Sequence, residues 1–155
     1  MAHSNPSSLP QNYTLHPGYP TVPEYLHLRS ASGLSPKTPA QGAVVAKGSW
    51  YGVYISHTNP ETNTTTAVTM GRIISDGGWY FHIADMAVLP DHQRRGLGDV
   101  VLKNLLEYIR VNAPEGEPYV SLLADPPGRK LYVKNGFVDS APESVGMVYS
   151  RKRGQ

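Results

Sequence analysis

The chain carries Gln93-Arg94-Arg95-Gly96-Leu97-Gly98-Asp99 between an apolar stretch that ends at Pro90 and an amphipathic one that begins at Leu97. This order predicts a β-strand, a glycine turn and the N-terminus of an α-helix. A helix N-terminus presents unpaired N–H groups and a partial positive charge, and glycines let an anion approach the backbone. Arg94 and Arg95 add local charge. We therefore expect an anion-binding turn, the alternative being an ordinary loop with two surface arginines.

The glycine pattern argues against two common phosphate-binding turns. The Walker pattern Gly-x-x-x-x-Gly-Lys-[Ser/Thr] is absent, and Val101 stands where the Rossmann pattern Gly-x-Gly-x-x-Gly has its third glycine. A nucleoside triphosphate and a nicotinamide cofactor are therefore disfavoured as the bound anion.

The segments on either side of the turn predict an α+β fold. Leu97 to Asn112 has apolar residues at helical spacing, and Trp79 to Leu89 is long and apolar enough for a central strand. The other predicted strands are residues 13–16, 50–56, 67–74, 119–123, 137–138 and 145–149, and the other helices are 22–32, one that follows Ser35-Pro36 and ends at Gly48, and 127–134. This order describes a sheet covered by helices.

At two places the chain resembles a known family. Gln93-x-x-Gly96-x-Gly98, after a strand that ends in Met86-Ala87-Val88, is similar to the acyl-CoA pyrophosphate-binding motif of the GNAT superfamily of N-acyltransferases. Leu131-Tyr132-Val133-Lys134-Asn135-Gly136-Phe137 resembles the Leu-Tyr-x-Lys-x-Gly-Phe segment of the same superfamily. The two motifs cover residues 79–138. The resemblance implies a mixed, mostly antiparallel central sheet flanked by helices, and acetyl transfer from acetyl-CoA to an amine.

The resemblance also implies where acetyl-CoA, the co-substrate, is held. In the family, the backbone of the strand before the turn pairs with the pantetheine arm, and the amides of the turn hold the pyrophosphate. Asp125 stands where many members have an asparagine that contacts the cofactor; capping the next helix is the favoured alternative for its carboxylate. The residues expected to bind the cofactor are Met86, Ala87, Val88, Gln93, Arg94, Arg95, Gly96, Leu97, Gly98, Asp99 and Asp125.

Three side chains are candidates for catalysis. Tyr132 resembles the family's general acid, and a phenol with a pKa of about 10 stays protonated and can donate to a thiolate whose thiol has a pKa of about 8.5. Asp85 and His82 interrupt an apolar strand, and strand alternation predicts that they lie on opposite faces. Family members often have an acidic base near this position, which favours Asp85. The alternatives are a structural pair of Asp85 with an arginine such as Arg72, and His82 as the base.

The acceptor is expected between the first helices and the sheet. The residues there are aromatic rather than acidic, which favours a compact organic amine over a polyamine. We therefore expect a small-molecule primary amine, acetylated by direct transfer in a ternary complex, since a chain without cysteine forms no acyl-cysteine intermediate. The alternatives are a non-catalytic acyl-CoA-binding or sensor module and a protein or peptide N-acetyltransferase. The residues expected to bind the acceptor are Tyr25, His27, Trp79 and Phe81.

Composition limits the remaining classes. The chain has 155 residues, no cysteine and a formal net charge of +2, which fits one domain of residues 12–150 and argues against disulfides, thiolate metal sites and a strongly basic nucleic-acid binder. The six histidines lack metal-ligand spacing, and no apolar run approaches the ~20 residues of a membrane span. We expect a cytoplasmic monomer or homodimer with no metal, nucleic-acid or membrane partner, a disordered tail at residues 1–11 and a basic tail at 151–155.

Overall fold

The computed structural model describes residues 9–150, which divide into two compact units between Leu122 and Leu123. Residues 1–8 and 151–155 lie outside the described residues, and with them the predicted basic tail and most of the predicted N-terminal tail. The last part of that N-terminal segment is described as a turn, in which Tyr13 N–H donates to Pro10 O at 3.3 Å.

The first unit contains a five-stranded sheet, in which the strands lie side by side in their order along the chain. They are β1 (Tyr13–Pro17), β2 (Tyr51–Thr58), β3 (Thr65–Ser75), β4 (Tyr80–Val88) and β5 (Tyr119–Ser121). The first four are antiparallel neighbours, and β5 runs parallel to β4. The prediction of a mixed, mostly antiparallel sheet is confirmed.

The helices of the first unit are α1 (Val22–Ala31), α2 (Pro39–Gly48) and α3 (Leu97–Asn112). α2 begins later than the sequence suggested because Thr38 caps it: Gln41 N–H donates to Thr38 Oγ1 at 3.2 Å, and Thr38 N–H donates to Gln41 Oε1 at 3.0 Å. Thr21 and Glu24 form a matching capping box at the start of α1. In the part of the chain that the structure describes, no helix is long and apolar enough to cross a membrane.

α3 packs its apolar face closely against the sheet. A Cβ added to Gly71 of β3 would lie 2.7 Å from Val101 Cγ1 and 3.0 Å from Leu105 Cδ1, which is closer than packed carbon atoms approach. A glycine at this position therefore allows the helix to sit directly on the strand. The buried apolar residues of α3 are Leu97, Val101, Leu102, Leu105 and Ile109.

The second unit contains α4 (Arg129–Lys134), preceded by a short 3₁₀ turn at Pro126–Gly128. Its described residues after α4 form no strand, so the predicted strands at 137–138 and 145–149 are wrong. β-Branched residues favour an extended chain, but a strand also needs a neighbour that pairs with its backbone groups. Residue composition alone does not supply that neighbour.

Candidate active site

A β-bulge interrupts β4 at Asp85. Met70 of β3 pairs with Ala87 and Arg72 pairs with Ala84, so that Asp85 and Met86 together oppose the single residue Gly71. Asp85 takes the left-handed backbone conformation with φ 56°, which aspartate tolerates better than most residues. The bulge shifts the alternation of side chains for the rest of the strand.

The bulge places Asp85 and His82 on the same face of the sheet, and the prediction of opposite faces is therefore wrong. Ile74 pairs with His82 and Arg72 pairs with Ala84, so Arg72 and His82 share a face. The carboxylate of Asp85 is bonded to Arg72 and lies on that face as well. Apart from His82 and Asp85 the strand is apolar on both faces, so its sequence has no apolar–polar alternation in which the shift could be seen.

Three side chains donate hydrogen bonds to the carboxylate of Asp85. Arg72 Nε and the Tyr25 hydroxyl both donate to Oδ2 at 2.6 Å, and Arg29 Nη1 donates to Oδ1. The side chain of Asp85 is only 7% exposed. Burial alone raises the pKa of a carboxylate, but here the hydrogen bonds from Tyr25 and Arg72 and the two arginine charges outweigh burial and lower the pKa of Asp85. The structural pair with Arg72 is thus present, and Asp85 is a weak proton acceptor.

His82 is held on one side only. Its Nδ1 lies 3.1 Å from Ser121 Oγ, which is in turn 3.5 Å from the Tyr80 hydroxyl, and no hydrogen bond to Nε2 is present among the described residues. Burial, followed by the charge of Arg72, lowers the pKa of His82, so its imidazole is neutral at pH 7. If Ser121 accepts a proton from Nδ1, the lone pair of the ring lies on Nε2. His82 therefore fits the chemistry of a general base.

The pairing of β4 with β5 ends at His82 and Ser121. Beyond that point, Leu89 N–H donates to Val68 O of β3 at 2.9 Å, and N–H groups alternate between the two edges of a strand, so Val88 N–H points away from β3. By the same alternation Ala87 N–H points toward β3. Val88 O accepts from Gln93 Nε2 at 3.2 Å, which ties the strand to the turn that follows.

The glycine turn leads into α3 without a capping side chain. Gly96 occupies the N-cap position with φ 78°, and Arg94 also takes the left-handed conformation with φ 61°. The first helical bond runs from Val100 N–H to Gly96 O, and the amides of Leu97 and Gly98 precede it. Arg94 and the neighbouring Arg95 are exposed, whereas the carboxylate of Asp99 is ion-paired with Lys103 Nζ at 2.7 Å. This end of α3 has the features of an anion site.

Tyr132 belongs to α4 in the second unit. Burial raises the pKa of its hydroxyl, and the charge of Asp125 raises it further, so that the phenol is protonated at neutral pH. Asp125 stands at the start of the 3₁₀ turn, but its side chain makes no capping hydrogen bond. The predicted cap has the expected position and lacks the expected bond.

The structure does not bring the four predicted acceptor residues together. Phe81 is fully buried and packs its ring 4.9 Å from that of Trp50, so it offers no surface to a ligand, and that prediction is wrong. Tyr25 is buried with its hydroxyl on Asp85, while His27 and Trp79 are exposed. Sequence reasoning missed Ser121, because its position beside His82 depends on the register of a parallel pair that no local pattern encodes.

The comparison with protein families decides the assignment. A family model described as an acetyltransferase (GNAT) domain matches residues 52–139. The chain belongs to this family. This GNAT membership supports acetyl transfer in general and implies acetyl-CoA as the co-substrate. Among the described residues, no three His, Asp or Glu side chains are grouped as metal ligands.

Individual relatives agree with the family. A crystal structure of a probable acetyltransferase of unknown function from methicillin-resistant Staphylococcus aureus is 34% identical, with a TM-score of 0.78, covering 90% of this chain and 99% of that one. An uncharacterised N-acetyltransferase, ycf52, of Porphyra purpurea is 31% identical over 63% of this chain and 54% of its own. A chloroplastic GCN5-related N-acetyltransferase of Arabidopsis thaliana is 32% identical over 58% and 44%. The matches span about half the length of these two curated relatives.

Proposed function

We propose that the protein transfers an acetyl group from acetyl-CoA to the primary amine of a small molecule, by direct attack in a ternary complex. The observation that carries this proposal is His82, a neutral imidazole with an unoccupied Nε2, placed where β5 stops pairing with β4. An uncharged amine attacks the thioester directly, and a base within reach takes the one proton that its nitrogen loses as the N–C bond forms.

Acetyl-CoA is held along β4 and at the start of α3. Val88 N–H points away from β3 and is available to the pantetheine arm, while the amides of Leu97 and Gly98 and the side chains of Arg94 and Arg95 attract the pyrophosphate. When bound, acetyl-CoA supplies a thioester whose carbonyl carbon the amine attacks.

His82 takes the proton of the attacking amine on Nε2. The N–C bond forms, the C–S bond breaks, and the amine proton remains on the imidazole. Ser121 fixes the ring by its contact with Nδ1. Asp85 orients Arg29 and Arg72 rather than acting as the base, because its carboxylate already accepts hydrogen bonds from both arginines and from Tyr25.

Tyr132 gives its proton to the departing thiolate. This role comes from the resemblance of Leu131–Phe137 to the family segment, and the raised pKa of Tyr132 supports it because the phenol remains a donor at neutral pH. We expect Tyr132→Phe to lower kcat about 100-fold and to change the Kd of acetyl-CoA by less than about twofold.

The test is an acceptor screen that follows release of coenzyme A with a thiol-reactive dye. The chain has no cysteine, so the protein gives no background signal. Small primary amines and peptides are compared, with Tyr132→Phe as the matched variant. If wild type binds acetyl-CoA tightly and acetylates neither class, the protein is a non-catalytic acyl-CoA-binding module. Faster turnover of peptides than of every small amine would make it a peptide acetyltransferase. The cytoplasmic location and the monomeric or homodimeric state remain predictions.

A further inference from the structure

A small recess lies on the sheet face that carries His82. Tyr19, Tyr25 and Met70 form its walls, and Arg72 and Asp85 supply its charges. Tyr19 lies over Gly52 of β2, where an added Cβ would come within 2.4 Å of its ring, so the tyrosine closes the recess from one side. Burial raises the pKa of both tyrosines, which therefore contribute hydroxyl groups and no charge at neutral pH.

The positive charges around the Asp85 carboxylate outnumber the negative ones. Arg29 and Arg72 bring two positive charges, and Asp85 brings one negative charge. Glu24, the one carboxylate of α1, does not supply the missing negative charge, because it accepts hydrogen bonds from Thr21 Oγ1 and from Ala67 N–H, the latter at 2.7 Å. One positive charge is left in a largely buried site, where an unpaired charge is costly.

The unpaired charge belongs to Arg72 rather than to Arg29. Arg29 places Nη1 on Asp85 and donates from Nε and Nη2 to Ser35 O at 3.0 and 2.8 Å, so each of its nitrogens has a partner. Arg72 bonds Asp85 through Nε and Ser49 Oγ through Nη1, and its Nη2 has no hydrogen bond within the described residues. Arg72 also lines the recess.

We propose that Arg72 binds an anionic group of the acceptor, a carboxylate or a phosphate, so that the substrate is a primary amine that also carries a negative charge. This inference rests on the proposed function and names the substrate class. A guanidinium is well suited to carboxylate and phosphate oxygens. Arg72 stands opposite Ala84, two residues from His82 on the same face, a separation of about 7 Å along the strand.

This arrangement also favours the reaction. An acceptor whose anion rests on Arg72 directs its amine toward His82 when a short chain joins the two groups. Binding energy from a group that does not react is thereby used to orient the one that does.

The experiment compares amines that differ only in the anion. The pairs are β-alanine with β-alaninamide, for a carboxylate, and O-phosphoethanolamine with ethanolamine, for a phosphate. We expect kcat/KM at least 10-fold higher for the anionic member of one pair, and which pair shows it identifies the anion. Arg72→Gln should reduce this ratio to about 1, and Arg72→Lys should restore part of it. The ratio is measured within one preparation, so a loss of active protein cancels.

Arg29→Gln is the matched control. It removes the same charge from beside Asp85 but leaves Nη2 of Arg72 in place, so the preference for the anionic member should fall much less than in Arg72→Gln. Equal kcat/KM within both pairs for wild type overturns the Arg72 assignment and leaves acetyl transfer intact. If no amine is acetylated, the proposed function fails, and equilibrium binding of propionate and of inorganic phosphate to wild type and Arg72→Gln decides the Arg72 assignment: binding lost in the variant supports it, and equal or absent binding overturns it.

Discussion

Asp85 and His82 interrupt the same apolar strand and, because of the bulge, face the same side of the sheet, yet their surroundings differ. Both oxygens of the Asp85 carboxylate are engaged by Tyr25, Arg29 and Arg72, whereas His82 has one partner at Nδ1 and none at Nε2 among the described residues. A polar residue in a strand is therefore a weak sign of catalysis. Whether one of its atoms remains available for a substrate distinguishes the two roles.

The largest expected effect is the loss of the base. His82→Gln keeps a polar side chain of similar length near Ser121 but cannot accept a proton, so we expect kcat to fall about 10³-fold with little change in stability. Because the pKa of His82 is lowered, the acid limb of kcat in wild type should lie below pH 6.5, the ordinary value of a histidine. Steady-state kinetics from pH 5 to 9 measure both.

His16→Gln is the control for this substitution. His16 Nε2 also bonds a serine, Ser56 Oγ at 2.7 Å, but between β1 and β2, away from the end of the β4–β5 pair. His16→Gln should leave the acid limb of the pH dependence of kcat at the same pH as in wild type. A His82→Gln enzyme with the kcat and the pH profile of wild type would remove His82 from the mechanism and reopen the assignment of the base.

The complementary prediction is that Asp85 matters more for stability than for chemistry. Asp85→Asn keeps the shape and a residue type that tolerates φ 56°, but it leaves Arg29 and Arg72 without their buried counter-charge. We expect a loss of about 3 kcal/mol in the free energy of unfolding, measured by urea titration. If Asp85→Asn instead abolishes turnover at unchanged stability, the roles of the two residues are reversed.

The acid dependence of stability follows from the same carboxylate. The pKa of Asp85 is lowered in the folded protein, so its contribution is fully present above the ordinary value of about 4 and is lost as the pH falls through the lowered value. Urea titrations between pH 2 and 7 should show this loss in wild type and a flatter dependence in Asp85→Asn.

Much of the fold follows from local signals in the sequence. α3 has the predicted bounds, since its apolar spacing and the glycine before it mark both the face and the start of the helix. The Thr21 capping box likewise fixes the start of α1. What the sequence did not reveal depends on pairing between distant segments: the bulge at Asp85, the contact of Ser121 with His82, and the absence of strands among the described residues that follow α4.

The starts of the helices show the same contrast between polar groups that have a hydrogen-bond partner and polar groups that do not. The effect expected from substitution is smaller here. Capping boxes satisfy the first amides of α1 and α2, whereas α3 begins at Gly96 with no capping side chain. Gly96→Ala adds a methyl group where no protein atom lies within 4 Å, so it interferes only with a bound ligand and with the backbone at φ 78°. We expect the Kd of coenzyme A to rise about 10-fold.

Gly33→Ala distinguishes interference with a bound ligand from backbone strain as the cause of weaker binding. Gly33 follows α1, has φ 92° and likewise has no atom within 4 Å of an added Cβ, so the substitution costs a similar backbone strain of about 1 kcal/mol away from the glycine turn. Isothermal titration with coenzyme A and urea titration of both variants give the comparison. Equal losses of stability with weakened binding in Gly96→Ala alone mean that the uncapped start of α3 holds the pyrophosphate. If both variants bind coenzyme A with equal affinity, a helix start without a capping side chain is not by itself a binding site. The availability of a polar atom, which separates His82 from Asp85, would then not identify binding sites made of backbone groups.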